Sequence, residues 1–358
     1  MSLVHLKKGP LSSMNVADRL HIFIVTYNRV AQLKRTLRQI LDEASPVKTC
    51  PITVLNNNST DGTAALVNGF CHDHGNVELI THAKNIGGNA NICRAMELAD
   101  KEYYWILGDD DIYDFSAWNS VERAMTNGED VILLSRYLLA DTVKDDLAYQ
   151  LVQATFISGV IVHADLITDS VLSEAYNSIY TLFPQIVPIL VHVSAGGGIC
   201  VMEKPVVDNG YNMPNAPKSD VRYTRGSDEC VCSPYLRFQT WITGWSAAIS
   251  RIKDADLRER TLMAGAELVL CYGEEMTTLQ TMRAITSHLK GLGCGRLLPL
   301  AAYVYAVAGR PLQREMRRSV MFFDSFLMKR IFYCVCSVCI PWRKDYYLNR
   351  LKRYTIDV

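Results

Sequence analysis

Short runs of β-branched and apolar residues recur along the first part of the chain, at residues 21–26, 52–56, 77–81, 103–107 and 131–135. Between them, at 30–43, 64–74, 89–99 and 115–127, the apolar positions take helical spacing. In the first of these, Val30, Leu33, Leu37, Ile40 and Leu41 share one face, while Lys34, Arg35 and Arg38 lie on another. Strands alternating with helices of this length predict β–α crossovers and a mostly parallel sheet flanked by helices. Ligands of such sheets bind beyond the carboxyl ends of the strands. That rule directs attention to residues 26–29, 56–62 and 108–111.

The later pattern is less regular. Residues 147–163 read as a continuation of the sheet and 201–207 as a further strand. A polar loop follows over 208–230, then a helical stretch over 236–308 and a tail over 310–358. The longest stretch free of Asp, Glu, Lys and Arg runs over 175–202. It contains Pro184, Pro188 and the triplet Gly196 to Gly198, so it reads as a buried helix, a turn and a strand, not a membrane span.

Charge changes this picture more than composition does. The 358 residues carry 37 basic and 37 acidic side chains, which argues against a dedicated nucleic-acid binder. From Arg310 onward, however, 11 basic residues stand against 4 acidic ones, so the first 309 residues carry a net charge of −7. Eleven irregularly spaced cysteines in a chain of this length read as reduced thiols in a cytoplasmic protein. The one CxxC, Cys336 with Cys339, sits in an apolar run and reads as buried hydrophobe, not metal site.

The strongest chemical signal is Gly108-Asp109-Asp110-Asp111, directly after the apolar strand 103–107. Three carboxylates at a buried strand end repel one another. A hard divalent cation bridging to a polyanionic ligand removes that cost, whereas a helix N-terminus nearby would explain them without any ligand. The first strand ends in Thr26-Tyr27-Asn28-Arg29 and the second in Asn56-Asn57-Asn58-Ser59-Thr60-Asp61-Gly62-Thr63, groups suited to hydrogen-bonding a base or ribose. Ser59 and Thr60 are also N-cap candidates. The third strand leads into Asn85-Ile86-Gly87-Gly88, where glycines let backbone approach a ligand.

These four motifs, in this order, resemble the nucleotide-sugar-binding half of family 2 glycosyltransferases, enzymes of the GT-A fold that include bacterial polysaccharide and O-antigen sugar transferases. The resemblance covers about residues 20–135 and thins to an echo at Phe156-Ile157-Ser158-Gly159. With it the chain divides into an N-terminal extension (1–19), a GT-A catalytic domain (20–235, with a donor half to 135 and an acceptor half beyond) and, from its own apolar pattern, a helical C-terminal region (236–358). The resemblance also implies that Thr26, Tyr27 and Asn57 face the nucleobase with Arg29 nearby, and that Asn28, Asp61 and Asn85 belong to the same donor site. Asp109 and Asp110 would bind ribose or sugar, and Asp111, with Asp110, would hold Mn²⁺ or Mg²⁺. Asn stands at both 56 and 57, where the family often has Asp, so UDP-, dTDP-, GDP- and CDP-sugars all stay open as donors.

The implied reaction is inverting transfer of a sugar to a glycan or lipid-linked glycan acceptor. Its general base is sought after the acceptor-side segment, at Asp165 first and His192 second, with Asp169, Glu174, Asp208, Asp220, Asp228 and Glu229 as alternatives. His192 is also the kind of histidine a core satisfies. Two other classes remain at this stage: a nucleotidyltransferase that makes nucleotide sugars, and a non-catalytic nucleotide-sugar-binding module. Arg222 and Arg225 are candidates to close over a diphosphate. The basic, aromatic tail suits either an anionic membrane surface on the cytoplasmic side or packing on the catalytic domain or a second copy of the chain.

Overall fold

The computed structural model describes residues 15–135, 144–208 and 234–272. Their contacts divide between two compact units, one within Met1–Tyr137 and Gln153–Arg222, the other within Leu138–Val152 and Tyr223–Val358.

The first unit opens with α1 (Val16–Arg19) and then alternates as the apolar pattern requires. β1 (Leu20–Thr26), α2 (Val30–Ile40), β2 (Ile52–Asn56), α3 (Thr63–Asp73), β3 (Val77–Thr81), α4 (Gly88–Glu97) and β4 (Tyr103–Leu107) follow in turn. After the two-residue β5 (Ile112–Tyr113) come α5 (Trp118–Thr126) and β6 (Val131–Leu133). α6 (Leu147–Gln153) precedes β7 (Val160–His163), α7 (Asp169–Asn177), α8 (Val187–Ser194), β8 (Cys200–Val201) and β9 (Val207–Asp208). Of these, α6 as far as Val152 falls in the second unit, together with α9 (Pro234–Ile249) and α10 (Ala255–Tyr272).

Seven strands form one sheet in the order β3-β2-β1-β4-β7-β6-β8. β1, β2, β3 and β4 are mutually parallel, with Thr26 opposite Asn56 and Asn56 opposite Thr81. Their carboxyl ends therefore reach one edge together. β7 runs against both β4 and β6. β1, β2 and β4 are buried along almost their whole length, the mark of strands covered on both faces. Leu33, Leu37 and Ile40 of α2 are fully buried in the core with Ile22, Ile24, Val54 and Trp105.

Two expectations are corrected. The stretch 147–163 does not continue as strand throughout: Leu147, Ala148, Leu151 and Val152 recur at helical spacing, and only the β-branched run at 160–163 pairs. The stretch 201–207 is not one strand. Pro205 lacks an amide donor, and the segment divides into β8 in the large sheet and β9, which pairs with β5. Within the second unit, the Trp245 indole donates to the Thr261 carbonyl (3.0 Å), and Gly265 lets α10 lie close to the Trp245 ring. Among the described residues no helix is long and apolar enough to cross a membrane. The loop beyond Asp208, with Arg222 and Arg225, and the basic tail lie outside the described residues.

Candidate functional site

Four loops meet at the carboxyl edge of β1 to β4. The first two are tied by Asn28 and Asp61. Asn28, in the left-handed region (φ 52°), accepts from the Thr60 amide at 2.7 Å, while its own amide donates to Ser59 Oγ at 2.9 Å. Asp61 Oδ2 accepts from the Val30 amide (2.9 Å) and so caps α2 from the neighbouring loop. Its Oδ1 accepts from the Thr63 hydroxyl (2.6 Å), and these bonds hold its carboxyl below the usual carboxylate range although its partial burial opposes them. Ser59 and Thr60 are not the cap of α3. Gly62 takes that position at φ 89°, a conformation only glycine adopts without strain.

The third loop hangs on Asn57. Its amide donates to Asn85 Oδ1 (2.7 Å), and its carbonyl oxygen accepts from the Ile86 amide (2.8 Å). Asn85 Oδ1 also takes the Gly87 amide at 2.8 Å, so Asn57 and Asn85 shape the glycine turn that starts α4. Tyr27 stands at the same edge with 36% of its surface exposed, an aromatic ring open to a ligand.

The carboxylates lie at the centre. Asp109 and Asp111 are 2% and 4% exposed, and the Asp110 side chain keeps 28% of its surface in solvent. Asp109 accepts from the Thr26 hydroxyl at 2.7 Å and from Arg29 Nη1 at 2.9 Å. Arg29 Nη2 holds Asp110 at the same time. Asp111 Oδ2 accepts from the Ser158 hydroxyl at 2.5 Å, and Ser158 Oγ in turn accepts from the Gly108 amide at 2.8 Å. Burial pushes the Asp109 carboxyl up to about 6, against the pull of Arg29 and Thr26. Burial likewise pushes Asp111 up to about 7, opposed by the Ser158 hydroxyl and reinforced by Asp110 and Asp109.

A raised carboxyl keeps its proton in the folded chain at a pH where the unfolded chain has lost it. Stability contributed by Asp111 is thus lost as pH rises from about 4 towards 7. In thermal unfolding of the ligand-free protein, wild-type Tm should fall between pH 5 and pH 8 relative to Asp111→Asn. Parallel curves for the two proteins would contradict this.

Sequence reasoning missed three residues. Thr36 donates to the Asp109 carbonyl (2.9 Å) and Gln39 to the Asp111 carbonyl (3.1 Å), so α2 grips the backbone of the acidic turn. Their signal was a buried Thr beside Leu33, Leu37 and Ile40. Ser158 was part of the acceptor-side echo, yet its hydroxyl reaches 47 residues back to Asp111.

The structure does not bring Asp165 or His192 to this edge. β7 is antiparallel to β4 with His163 opposite Tyr103, so Asp165, just past β7, lies at the opposite edge from Asp109. Its side chain is 88% exposed there. His192 contacts the Gly198 carbonyl (3.0 Å) and Asp130 (3.7 Å), which precedes β6 at that same far edge. Neither is placed to serve chemistry at the carboxylates. Asp208 is different, because its backbone pairs with Ile112, directly after the acidic turn.

Does the donor set suit a cation? The turn closes tightly on Gly108: a Cβ there would stand 3.0 Å from Asp111 Oδ2 and 3.6 Å from both Asp110 Oδ1 and Ser158 Oγ. Hard oxygens gathered at one turn fit Mn²⁺ or Mg²⁺. Among the described residues no group of three His, Cys, Asp or Glu side chains is arranged to hold a metal ion by itself. The fit is therefore to a cation that also takes ligand and water oxygens. Gly108→Ala should reduce Mn²⁺ binding about tenfold or more while leaving Tm within a few degrees, read by calorimetric titration and thermal unfolding. Unchanged Mn²⁺ affinity would contradict the placement.

The arrangement defines a class: an open α/β sheet of the GT-A kind, with polar loops and paired carboxylates at the carboxyl ends of its parallel strands. Residues 21–154 match the family described as glycosyl transferase family 2. The abequosyltransferase RfbV of Salmonella typhimurium (strain LT2) is 27% identical over 115 residues, 32% of this chain and 34% of the relative. The match thus spans about a third of that relative's length. The crystal structure of S. aureus TarS 1-349 superposes with a TM-score of 0.51 at 13% identity, covering 94% of this chain and 91% of that one. The longer S. aureus TarS structure gives 0.50 at 12% identity, covering 92% of this chain and 54% of that one. These likenesses establish the fold.

Proposed function

We propose that the protein is a glycosyltransferase that moves a sugar from a nucleotide-sugar donor to a glycan or lipid-linked glycan acceptor, with inversion at the anomeric carbon. The observation that carries this reading is the joining of Thr26, Arg29 and the Asp109 to Asp111 turn into one hydrogen-bonded cluster at the common strand edge. The family match of residues 21–154 and similarity to an abequosyltransferase support it.

The Tyr27 ring stacks on the nucleobase, and the loops fixed by Asn28, Asp61, Asn57 and Asn85 give that base and its ribose a rigid floor. Asp110 and Asp111 would hold the cation. A bound Mn²⁺ or Mg²⁺ supplies neutralisation of the charge that develops on the departing diphosphate. Arg29, at the acidic turn, would offer the diphosphate a bidentate partner. We assign the acceptor's proton to Asp208, whose strand pairing brings it beside the acidic turn. Asp208→Asn should lower kcat at least about a hundredfold and leave donor KM nearly unchanged, by steady-state assay. Retention of full kcat would remove Asp208 from this role.

The reading is tested by incubating the protein with UDP-, dTDP-, GDP- and CDP-sugars and Mn²⁺ and measuring nucleoside diphosphate release. Release from one donor class is expected and names the base. Pyrophosphate formation from a sugar phosphate and a nucleoside triphosphate would indicate nucleotidyl transfer instead. Absence of any turnover or nucleotide binding would leave only the fold.

A further inference from the structure

Arg29 performs a task in this structure that the reaction does not require of it. Its guanidinium spans two carboxylates, Nη1 on Asp109 (2.9 Å) and Nη2 on Asp110. Asp110 Oδ1, with Asp111 Oδ2 and Ser158 Oγ, is one of three oxygens grouped around Gly108. A monovalent cation already held by the protein therefore engages a carboxylate that a divalent ion would use. Asp109 gives Arg29 a buried anchor, whereas Asp110 is the more exposed of the two partners. Arg29 is itself 35% exposed along its side chain, so the guanidinium has room to leave Asp110 while keeping Asp109. It precedes α2, whose first amide is capped by Asp61, so its backbone stays fixed as the side chain moves.

We infer that Arg29 is an internal counter-cation that competes with the divalent ion for Asp110 and is released by the donor's diphosphate. The inference rests on the donor-site reading above and deepens it. With Arg29 on Asp110, the cation alone binds weakly. A diphosphate offers the guanidinium a better bidentate partner, Asp110 becomes free, and cation and nucleotide bind cooperatively. Such coupling would keep the site from filling with metal before a donor is present. It is reciprocal, so the cation must tighten nucleotide binding by the same factor.

The test uses the full chain and calorimetric titration with Mn²⁺ alone, UDP alone and each in the presence of the other, at low ionic strength. GDP and dTDP replace UDP if the donor assay names another base. Wild type should bind Mn²⁺ weakly alone and at least about tenfold more tightly with nucleotide present. Arg29→Met removes the competing charge, so Mn²⁺ alone should bind at least about fivefold more tightly, with the gain on adding nucleotide much reduced. Arg29→Lys, which keeps the charge, should remain close to wild type for Mn²⁺ alone. Arg29→Gln serves in place of Arg29→Met if that variant does not fold. If wild type binds both ligands but Arg29→Met binds Mn²⁺ no more tightly than wild type, the inference is overturned and the donor site stands. If wild type binds neither Mn²⁺ nor any nucleoside diphosphate, the donor-site reading fails and the inference falls with it.

Discussion

Replacing Asp111 by Asn is expected to lower sugar transfer by about a thousandfold or more, without unfolding the protein. The amide has the size of the carboxylate, and its oxygen can still accept from Ser158, so the local packing survives. What is lost is the charge. Asp111 is 4% exposed, and burial with two neighbouring carboxylates drives its pKa up to about 7, so the ionised form is costly without a neutralising partner. A group held at such cost is explained if a cation relieves it during turnover. Steady-state assays with Mn²⁺ should show the collapse in kcat, and thermal unfolding at pH 8 should show a Tm at or above wild type. A variant that transfers sugar within tenfold of wild type would show that Asp111 does not serve the reaction.

Ser158→Ala is expected to cost about ten- to hundredfold in transfer and to lower Tm as well. The hydroxyl is fully buried, donates to Asp111 at 2.5 Å and accepts from the Gly108 amide at 2.8 Å. Removing it leaves both groups short of a partner, and a hydrogen bond to a charged group is worth about 1.5–3 kcal/mol. The Trp105 indole still donates to the Ser158 carbonyl (2.8 Å), so the turn itself keeps its anchor on β4. A positioning role predicts more than lost stability: the Mn²⁺ concentration for half-maximal rate should rise several-fold. Lower Tm with unchanged Mn²⁺ dependence would mark Ser158 as merely structural.

Much of this site was legible in the residues. β1 to β4 follow from β-branched runs alternating with helical spacing, and the strand ends fell where the parallel-sheet rule sends a ligand. The acidic turn alone was equally explained by a nearby helix N-terminus, and it was the motifs at the other strand ends that turned the reading towards a ligand site. The acceptor side was harder for physical reasons. Strand direction is not written in an apolar run of four residues, and Val160–His163 could be read either way. Its antiparallel course carries Asp165 to the far edge, and His192 follows through Asp130. Thr36 and Gln39 were hard to read because a helix's hydrophobic stripe masks a polar residue that bonds to a neighbouring turn, leaving only a Thr among the apolar positions as a trace. Asp208 could be nominated only among several loop acids, since a two-residue pairing such as β5 with β9 leaves no periodic trace.

The central claim is that the Asp109 to Asp111 turn, with a divalent cation, handles the diphosphate of a nucleotide sugar. The measurement that bears on it most directly is nucleoside diphosphate release by chelator-treated protein, before and after Mn²⁺ is restored, in wild type and in Asp111→Asn. The account predicts negligible release without the cation, full release once it is restored to wild type, and none in the variant. Release that is indifferent both to chelation and to Asp111→Asn would contradict it.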